Sequence, residues 1–149
     1  MPKYRKMLSD IEAPYIQSLM KLIETQSKTT LANWCLSYSE VHILPIFEQA
    51  FPADSRPRLA LQAARDWLDG KVKLQVVRKI ILDVHAPARE AEESPAAQAA
   101  ARAVGQSAAT VHSATHSLGL ALYGVLALAY ERVGIEAGWE TLASVAAEE

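Results

Sequence analysis

The stretch PAAQAAARAVGQSAATVHSATHSLGLALYG, residues 95–124, decides the fold class. Alanine is the strongest helix former, and the apolar residues of this stretch recur at alternating steps of four and three. Such spacing is typical of a seam that packs against neighbouring helices at a shallow angle. The seam comprises Ala97, Ala101, Val104, Ala108, Val111, Thr115, Leu118, Leu122, Val125 and Ala129. We therefore predict one long helix over residues 95–132.

Residues that favour helix ends predict shorter helices on either side of this long one. Serine and aspartate begin helices, glycine ends them, and proline inside a helix bends it. Pro45 predicts a kink in the second helix, and Pro87 predicts a bend around His85 in the fourth. The shorter helices are predicted at residues 9–26, 30–49, 55–70, 72–91 and 136–147. We therefore expect an all-α protein, an antiparallel bundle of five to six helices with a long central fifth helix.

The first predicted helix is treated as a separate unit. Residues 1–28 form an N-terminal helix, and residues 29–149 form the helical bundle domain. One face of the N-terminal helix is apolar and must cover another surface. This face carries Ile11, Tyr15, Leu19, Leu22 and Ile23. We predict that the N-terminal helix is a packing arm outside the bundle or supports a homodimer.

Composition narrows the class of protein. The chain has 149 residues, of which 50% are hydrophobic and 21% charged, as in an ordinary globular domain. A net charge of −2 gives no basic patch for nucleic acid. One cysteine allows no disulfide framework within the chain, so we expect a reducing, cytoplasmic environment. The strictly apolar part of the fifth helix, residues 118–130, is too short to span a membrane.

The histidines are the main candidates for chemistry. His112 and His116 are one helical turn apart and project from one face, which His85 reaches if its helix packs there. We predict a structural or binding polar cluster of His85, Arg89, His112 and His116, hydrogen-bonded to Ser, Thr or backbone groups. Two alternatives are an anion held by Arg89 and a zinc site with His85 as the third ligand. No carboxylate completes a catalytic set, so we expect no catalytic residue and no cofactor.

Charged residues concentrate in two predicted turns and are candidates for contact with a protein partner. Charges that surround apolar anchors are typical of such interfaces. Arg89 could also pair with Asp54 or Glu40. The partner-contact candidates are Asp54, Arg56, Arg58, Glu90, Glu92 and Glu93. Cys35 stands between apolar neighbours, which indicates a buried, unreactive thiol.

Two long stretches resemble a known family. LANWCLSYSEVHILPIFEQAFPADSRPRLALQAARDWLDGKV, residues 31–72, and VHAPAREAEESPAAQAAARAVGQSAATVHSATHSLGLALYG, residues 84–124, carry the likeness. Its most specific residues are Asp54, Arg56, Pro57, Arg58, Trp67, Gly70, His85, Arg89, Arg102, Gly105, His112 and His116. Over residues 29–130 the chain resembles the immunity-protein-five-like group, small bacterial immunity proteins of polymorphic toxin systems.

The resemblance implies a cytoplasmic, all-helical bacterial protein that neutralises a cognate toxin by direct protein–protein binding. Its expected partners are that toxin and a possible second copy of the chain, without nucleic acid or membrane. Two other functions remain open on the residues alone. One is a metal- or anion-binding helical enzyme that uses the cluster of His85, Arg89, His112 and His116. The other is a helical protein whose main activity is self-association.

Overall fold

The computed structural model describes residues 12–134, 141, 144, 145 and 148, and within them the chain is all-α. The predicted fold class is therefore confirmed. A π-helical turn, Ser39–Ile43, joins the second and third helices, and another, Leu120–Gly124, joins the eighth and ninth. The helices are α1 (Pro14–Thr25), α2 (Lys28–Tyr38), α3 (Leu44–Ala50), α4 (Arg56–Leu68), α5 (Leu74–Leu82), α6 (His85–Glu90), α7 (Pro95–Ala109), α8 (Ser117–Gly119) and α9 (Val125–Val133).

The single long helix predicted over residues 95–132 is wrong. Helix α7 ends at Ala109, the backbone is extended at Ser113, and a 3-10 turn, Ala114–His116, then leads into α8. The returning segment packs back against α7 through its π turn and α9. Hydroxyl side chains compete with the helical backbone here, since Thr110 Oγ1 donates to the Gln106 carbonyl and Ser117 Oγ to that of Ala114. The seam is therefore divided between two antiparallel partners.

The two predicted proline effects are found at the expected places. Pro45 stands in the first turn of α3, directly after the π turn that continues α2. The helix predicted around Pro87 is divided, because α5 ends at Leu82 and α6 begins at His85. A proline has no N–H to donate and its ring clashes with the preceding turn, so each helix is interrupted just before it.

Gly70 ends α4 as the sequence predicts. Its φ is +75°, in the left-handed region that glycine adopts without strain. The Gly70 N–H donates to the Trp67 carbonyl at 2.9 Å, and the Lys71 N–H donates to that of Asp66 at 2.8 Å. These two bonds form a Schellman motif, which satisfies carbonyls that the helix itself leaves unpaired.

Helix α7 lies at the centre of the core. Most of its residues are buried, and many of them are alanines that let α3, α4, α6 and α9 pack closely against it. Larger side chains such as Phe47, Val77 and Val84 fill the spaces between these helices. A buried hydrogen bond of 2.6 Å between the hydroxyls of Ser39 and Ser107 connects the first π turn to α7.

Helix α1 packs on the far side of α9. Ile16 is 1% exposed and belongs to a small cluster with Leu126, Ala129 and Tyr130. The predicted start of this helix at Ser9 and the predicted tail helix at residues 136–147 fall largely outside the described residues. Along the described part of the chain, no helix has the length and apolarity needed to cross a membrane.

Candidate ligand-binding cavity

A cavity of about 510 Å³ opens where α5, α6 and α7 meet the turn that precedes α8. His85, His112 and His116 all line it, so the structure brings the three histidines to one site. Arg89, the fourth member of the predicted cluster, is exposed and does not line the cavity. The predicted place of Arg89 at the edge of this site therefore stays a prediction.

Two arginines that the sequence analysis did not assign to the site also line the cavity. Arg78 is exposed at the rim on α5, and Arg102 lies on α7. The Nη1 atom of Arg102 is buried and has no hydrogen-bond partner among the described residues. The sequence carried a signal only for Arg78, which stands two turns before His85 on the helix predicted over residues 72–91.

His116 is held in place by an amide side chain. Its Nδ1 lies 2.8 Å from Gln106 Oε1, and because that oxygen only accepts, Nδ1 carries the proton and donates. The prediction that Ser, Thr or backbone groups pair this histidine is therefore wrong. Gln106 lies against Gly119, where an added Cβ would be only 2.4 Å from Gln106 Cγ. Gly119 thus provides the space that positions the amide.

His112 contacts its neighbour edge to face. The ring centroids of His112 and His116 are 5.3 Å apart at an interplanar angle of 76°. The pKa of His112 lies below its ordinary 6.5, first because burial disfavours the charged ring and then because His116, Arg78 and Lys28 repel added positive charge. Arg78 and Lys28 therefore add positive charge near His112.

The geometry does not support the zinc alternative. Among the described residues, no three His, Cys, Asp or Glu side chains are grouped closely enough to hold a metal ion. The cavity lining contains no carboxylate that could act as a general base beside the histidines. Cys35 is fully buried elsewhere, and burial raises the pKa of its thiol from 9.0 to about 12. The thiol therefore stays protonated at neutral pH and is a poor nucleophile.

The predicted partner-contact residues form ion pairs within the chain. Arg56 donates from Nε to Asp54 Oδ1 at 2.9 Å, and from Nη2 both to Asp54 Oδ2 at 2.7 Å and to Glu90 Oε2 at 2.6 Å. The Arg56 guanidinium holds the pKa of Asp54 below its ordinary 3.8. Asp54 therefore pairs with Arg56, rather than with Arg89 as the sequence analysis allowed.

The remaining predicted contact residues differ in exposure and pairing. Arg58 makes a two-bond ion pair with Glu48, at 2.9 and 2.6 Å. Glu92 and Glu93 are exposed in the turn between α6 and α7. Since Arg56 joins the start of α4 to Glu90 at the end of α6, the charged turns form one continuous surface.

A shallow apolar groove begins at Arg56 and runs between α4 and α5. It encloses about 240 Å³, and its acidic lining residues are Asp66 and Asp83. Leu59 and Val76 also line it and remain 54% and 47% exposed. This groove has no local signal in the sequence, because it depends on the packing of α4 against α5.

The comparison with protein families gives one match. The family described as "Imm-5 like putative immunity protein" matches residues 21–148. The match includes every residue that lines the cavity and the groove. No curated protein and no solved structure matches the chain. The family resemblance predicted from the sequence is thus confirmed.

Proposed function

The chain belongs to the Imm-5-like immunity protein family, and we propose that it neutralises a cognate bacterial toxin by binding it directly. Family membership over residues 21–148 is the observation that carries this proposal. The site chemistry agrees with it, because no carboxylate lines the cavity beside the histidines and the one cysteine has a raised pKa. A binding role fits these residues better than a catalytic one.

We further propose that the toxin contacts the groove between α4 and α5. Protein interfaces combine an apolar centre with a polar rim, and a few buried anchors contribute most of the binding energy. Leu59 and Val76 supply exposed apolar area along the groove, and the charged turns continue the surface beyond Arg56. Exposed apolar area that is gathered along one groove and bordered by polar residues is typical of an interaction site.

The charge of the groove indicates the chemistry of its partner. Asp66 and Asp83 line it, whereas the charge of Arg56 is already matched by Asp54 and Glu90. The groove therefore has an acidic balance. We expect the toxin to present an apolar anchor flanked by lysine or arginine, since opposite charge at an interface speeds association and fixes orientation.

The proposal is tested with a candidate toxin, purified as the product of a toxin gene found next to the gene for this chain. Its affinity for the wild-type chain and for a Leu59→Asp variant is measured by isothermal titration calorimetry. Loss of a central apolar anchor costs about 2 kcal/mol or more, so Leu59→Asp should raise the Kd about 30-fold. Leu59 is exposed, so the substitution should leave the fold intact.

Val41→Asp is the matched control. Val41 is 64% exposed, similar in character to Leu59, but lies in the first π turn and does not line the groove. Its substitution should leave the Kd unchanged. Equal effects of the two variants would reject the groove as the contact surface, and absence of any wild-type binding would reject direct neutralisation.

A further inference from the structure

We propose that the cavity between α5, α6 and α7 is a binding site for a small organic anion, held by Arg78, Arg102 and the three histidines. The cavity is separate from the groove between α4 and α5, so this ligand would bind in addition to the toxin. Four observations support this site: its ionisable lining residues apart from Tyr123 are basic, a buried donor of Arg102 is unpaired among the described residues, the cavity has the volume of a small-molecule site, and part of its wall is apolar.

Every ionisable group that lines the cavity, apart from the phenol of Tyr123, is basic. Arg78, Arg102, His85, His112 and His116 converge there, and no aspartate or glutamate is among the lining residues. Clefts lined by one sign of charge focus the electrostatic potential and concentrate counter-ions. By contrast, Arg56 and Arg58, which lie outside the cavity, have acidic partners. The cavity therefore carries positive charge that its own walls do not balance.

Arg102 provides the strongest single indication. Its Nη1 is buried, and no described residue accepts a hydrogen bond from it. Buried donors are nearly always paired, because an unpaired one loses its hydration without compensation. A guanidinium presents its donors in a planar fork that fits a carboxylate or phosphate. Because Arg102 lines the cavity, an oxyanion that reached its guanidinium would meet the group that arginine binds best.

The cavity is too large and too apolar for a bare ion alone. Its volume of about 510 Å³ falls within the range of small-molecule sites. The apolar part of the lining consists of Ile81, Leu82, Val84, Ala88, Ala101, Gly105 and Ala109. Tyr123 adds an aromatic ring from the second π turn. These surfaces suit a ligand with a hydrocarbon or aromatic body attached to a single oxyanion group.

Binding should tighten as the pH falls. Lys28 from α2 and Arg78 from α5, together with His116, hold the pKa of His112 down, after the larger effect of burial. A bound anion would oppose these charges and favour the protonated ring. His85 from α6 and Arg102 from α7 also line the cavity and reinforce the attraction. Proton uptake by His112 on binding therefore makes the affinity rise between about pH 8 and pH 6.

The test measures binding of defined probes to the full chain by isothermal titration calorimetry at both pH values. Phenyl phosphate and phenylacetate carry the same ring with different oxyanions, and 2-phenylethanol is the neutral control. Binding of either anion, without binding of the alcohol, supports the proposal and identifies the preferred group. Phenylacetate stays ionised at both pH values and should bind more tightly at pH 6, whereas phenyl phosphate itself takes up a proton at about pH 6 and does not report on His112. Failure of both anions to bind, or equal binding of the alcohol, would overturn it.

Two variants and a matched control locate the site. Arg102→Gln should weaken binding of the preferred anion about tenfold or more, as expected for loss of a hydrogen bond between charged groups. Arg78→Gln, at the exposed rim, keeps the test valid if the first variant does not fold. Lys79→Gln removes the same charge from the neighbouring position, which does not line the cavity, and should have no effect. An equal loss of anion binding in all three variants would show that the anion is attracted by the overall positive charge, and would reject the site.

Discussion

Gly119 illustrates how one residue positions the cavity. A Cβ at this position would meet the Cγ, Cβ and Oε1 atoms of Gln106 at 2.4–2.7 Å, so the amide would have to move. We expect Gly119→Ala to break the bond between Gln106 and His116 and to lower the free energy of unfolding by about 1–3 kcal/mol, as overpacking does. Urea denaturation measures the change.

Gly105→Ala is the control for this prediction. Its Cβ would meet Val84 Cγ1 at 3.5 Å, an ordinary contact, and alanine is the better helix former by about 1 kcal/mol. The Gly105→Ala variant should therefore be as stable as the wild type or more stable. If Gly119→Ala is as stable as Gly105→Ala, the amide does not depend on the space at Gly119.

The lowered pKa of His112 predicts a pH dependence of stability. Its folded-state pKa is below the ordinary 6.5, so near and below that pH the unfolded chain binds more protons than the folded chain. The free energy of unfolding therefore falls as the pH drops from about 7.5 to about 5.5. A His112→Asn variant should lose less stability over this pH range. Thermal unfolding at a series of pH values measures the decrease in both proteins. An identical decrease in both proteins would contradict the shift.

At the residue scale, the sequence predicted which histidines meet but not what holds them. The grouping of His112 and His116 was argued from one face of a continuous helix, whereas the structure ends α7 at Ala109 and brings the two rings together across a turn. The partner of His116 is Gln106, which depends on the chain reversing after Ala109. Hydrogen bonds between antiparallel segments have no signature in local spacing, so this one could not be predicted.

At the scale of the element, the main error was the unbroken helix over residues 95–132. Both halves pack on the same core, so the apolar period continues through the turn and conceals it. The available signal was local, namely the hydroxyl residues Thr110, Ser113, Thr115 and Ser117 in succession. The bends near Pro45 and Pro87 were predicted correctly, because proline acts on the backbone whatever the tertiary context.

The end of α4 gives a prediction at this scale. Gly70 has a φ of +75° and open space around an added Cβ, so only backbone strain opposes a substitution. We expect Gly70→Ala to lower the free energy of unfolding by about 1–2 kcal/mol, the cost of left-handed backbone for alanine. Gly70→Asn should cost less, because asparagine tolerates this region. Equal stability of wild type and Gly70→Ala in urea would contradict the strain.

At the scale of the whole molecule, the predicted homodimer remains a proposal. Ile16 belongs to the cluster around Tyr130, so deletion of α1 would remove part of the core. A point substitution is therefore the cleaner test. Leu22 is 56% exposed on α1 and lines an apolar groove with Trp34 on α2, a surface that a second copy could cover.

We expect Leu22→Lys to weaken self-association, because it introduces charge into this apolar surface. The measurement is the molar mass by light scattering across a range of protein concentrations. Val133→Lys, at a position 37% exposed and outside the groove, should leave the mass unchanged. A wild-type chain that stays monomeric at every concentration would reject the dimer.

The family and the all-α class could be predicted, because each depends on many residues along the chain. Each residue is weak evidence alone, but together, in the right order and spacing, they are specific. The two surfaces proposed for binding were not predictable. The groove requires α4 to pack against α5, and the cavity requires α7 to end before His112. Both arise from contacts between elements, which local periodicity does not encode.

The central claim is that this chain neutralises its toxin by forming a complex with it. The most direct test mixes the purified candidate toxin with an equal amount of the wild-type chain. Light scattering after gel filtration then gives the mass of each species, and the toxin's activity is assayed on the same fractions. We predict a single complex in which the toxin is inactive. Separate elution of the two proteins, with the toxin fully active, would contradict the account.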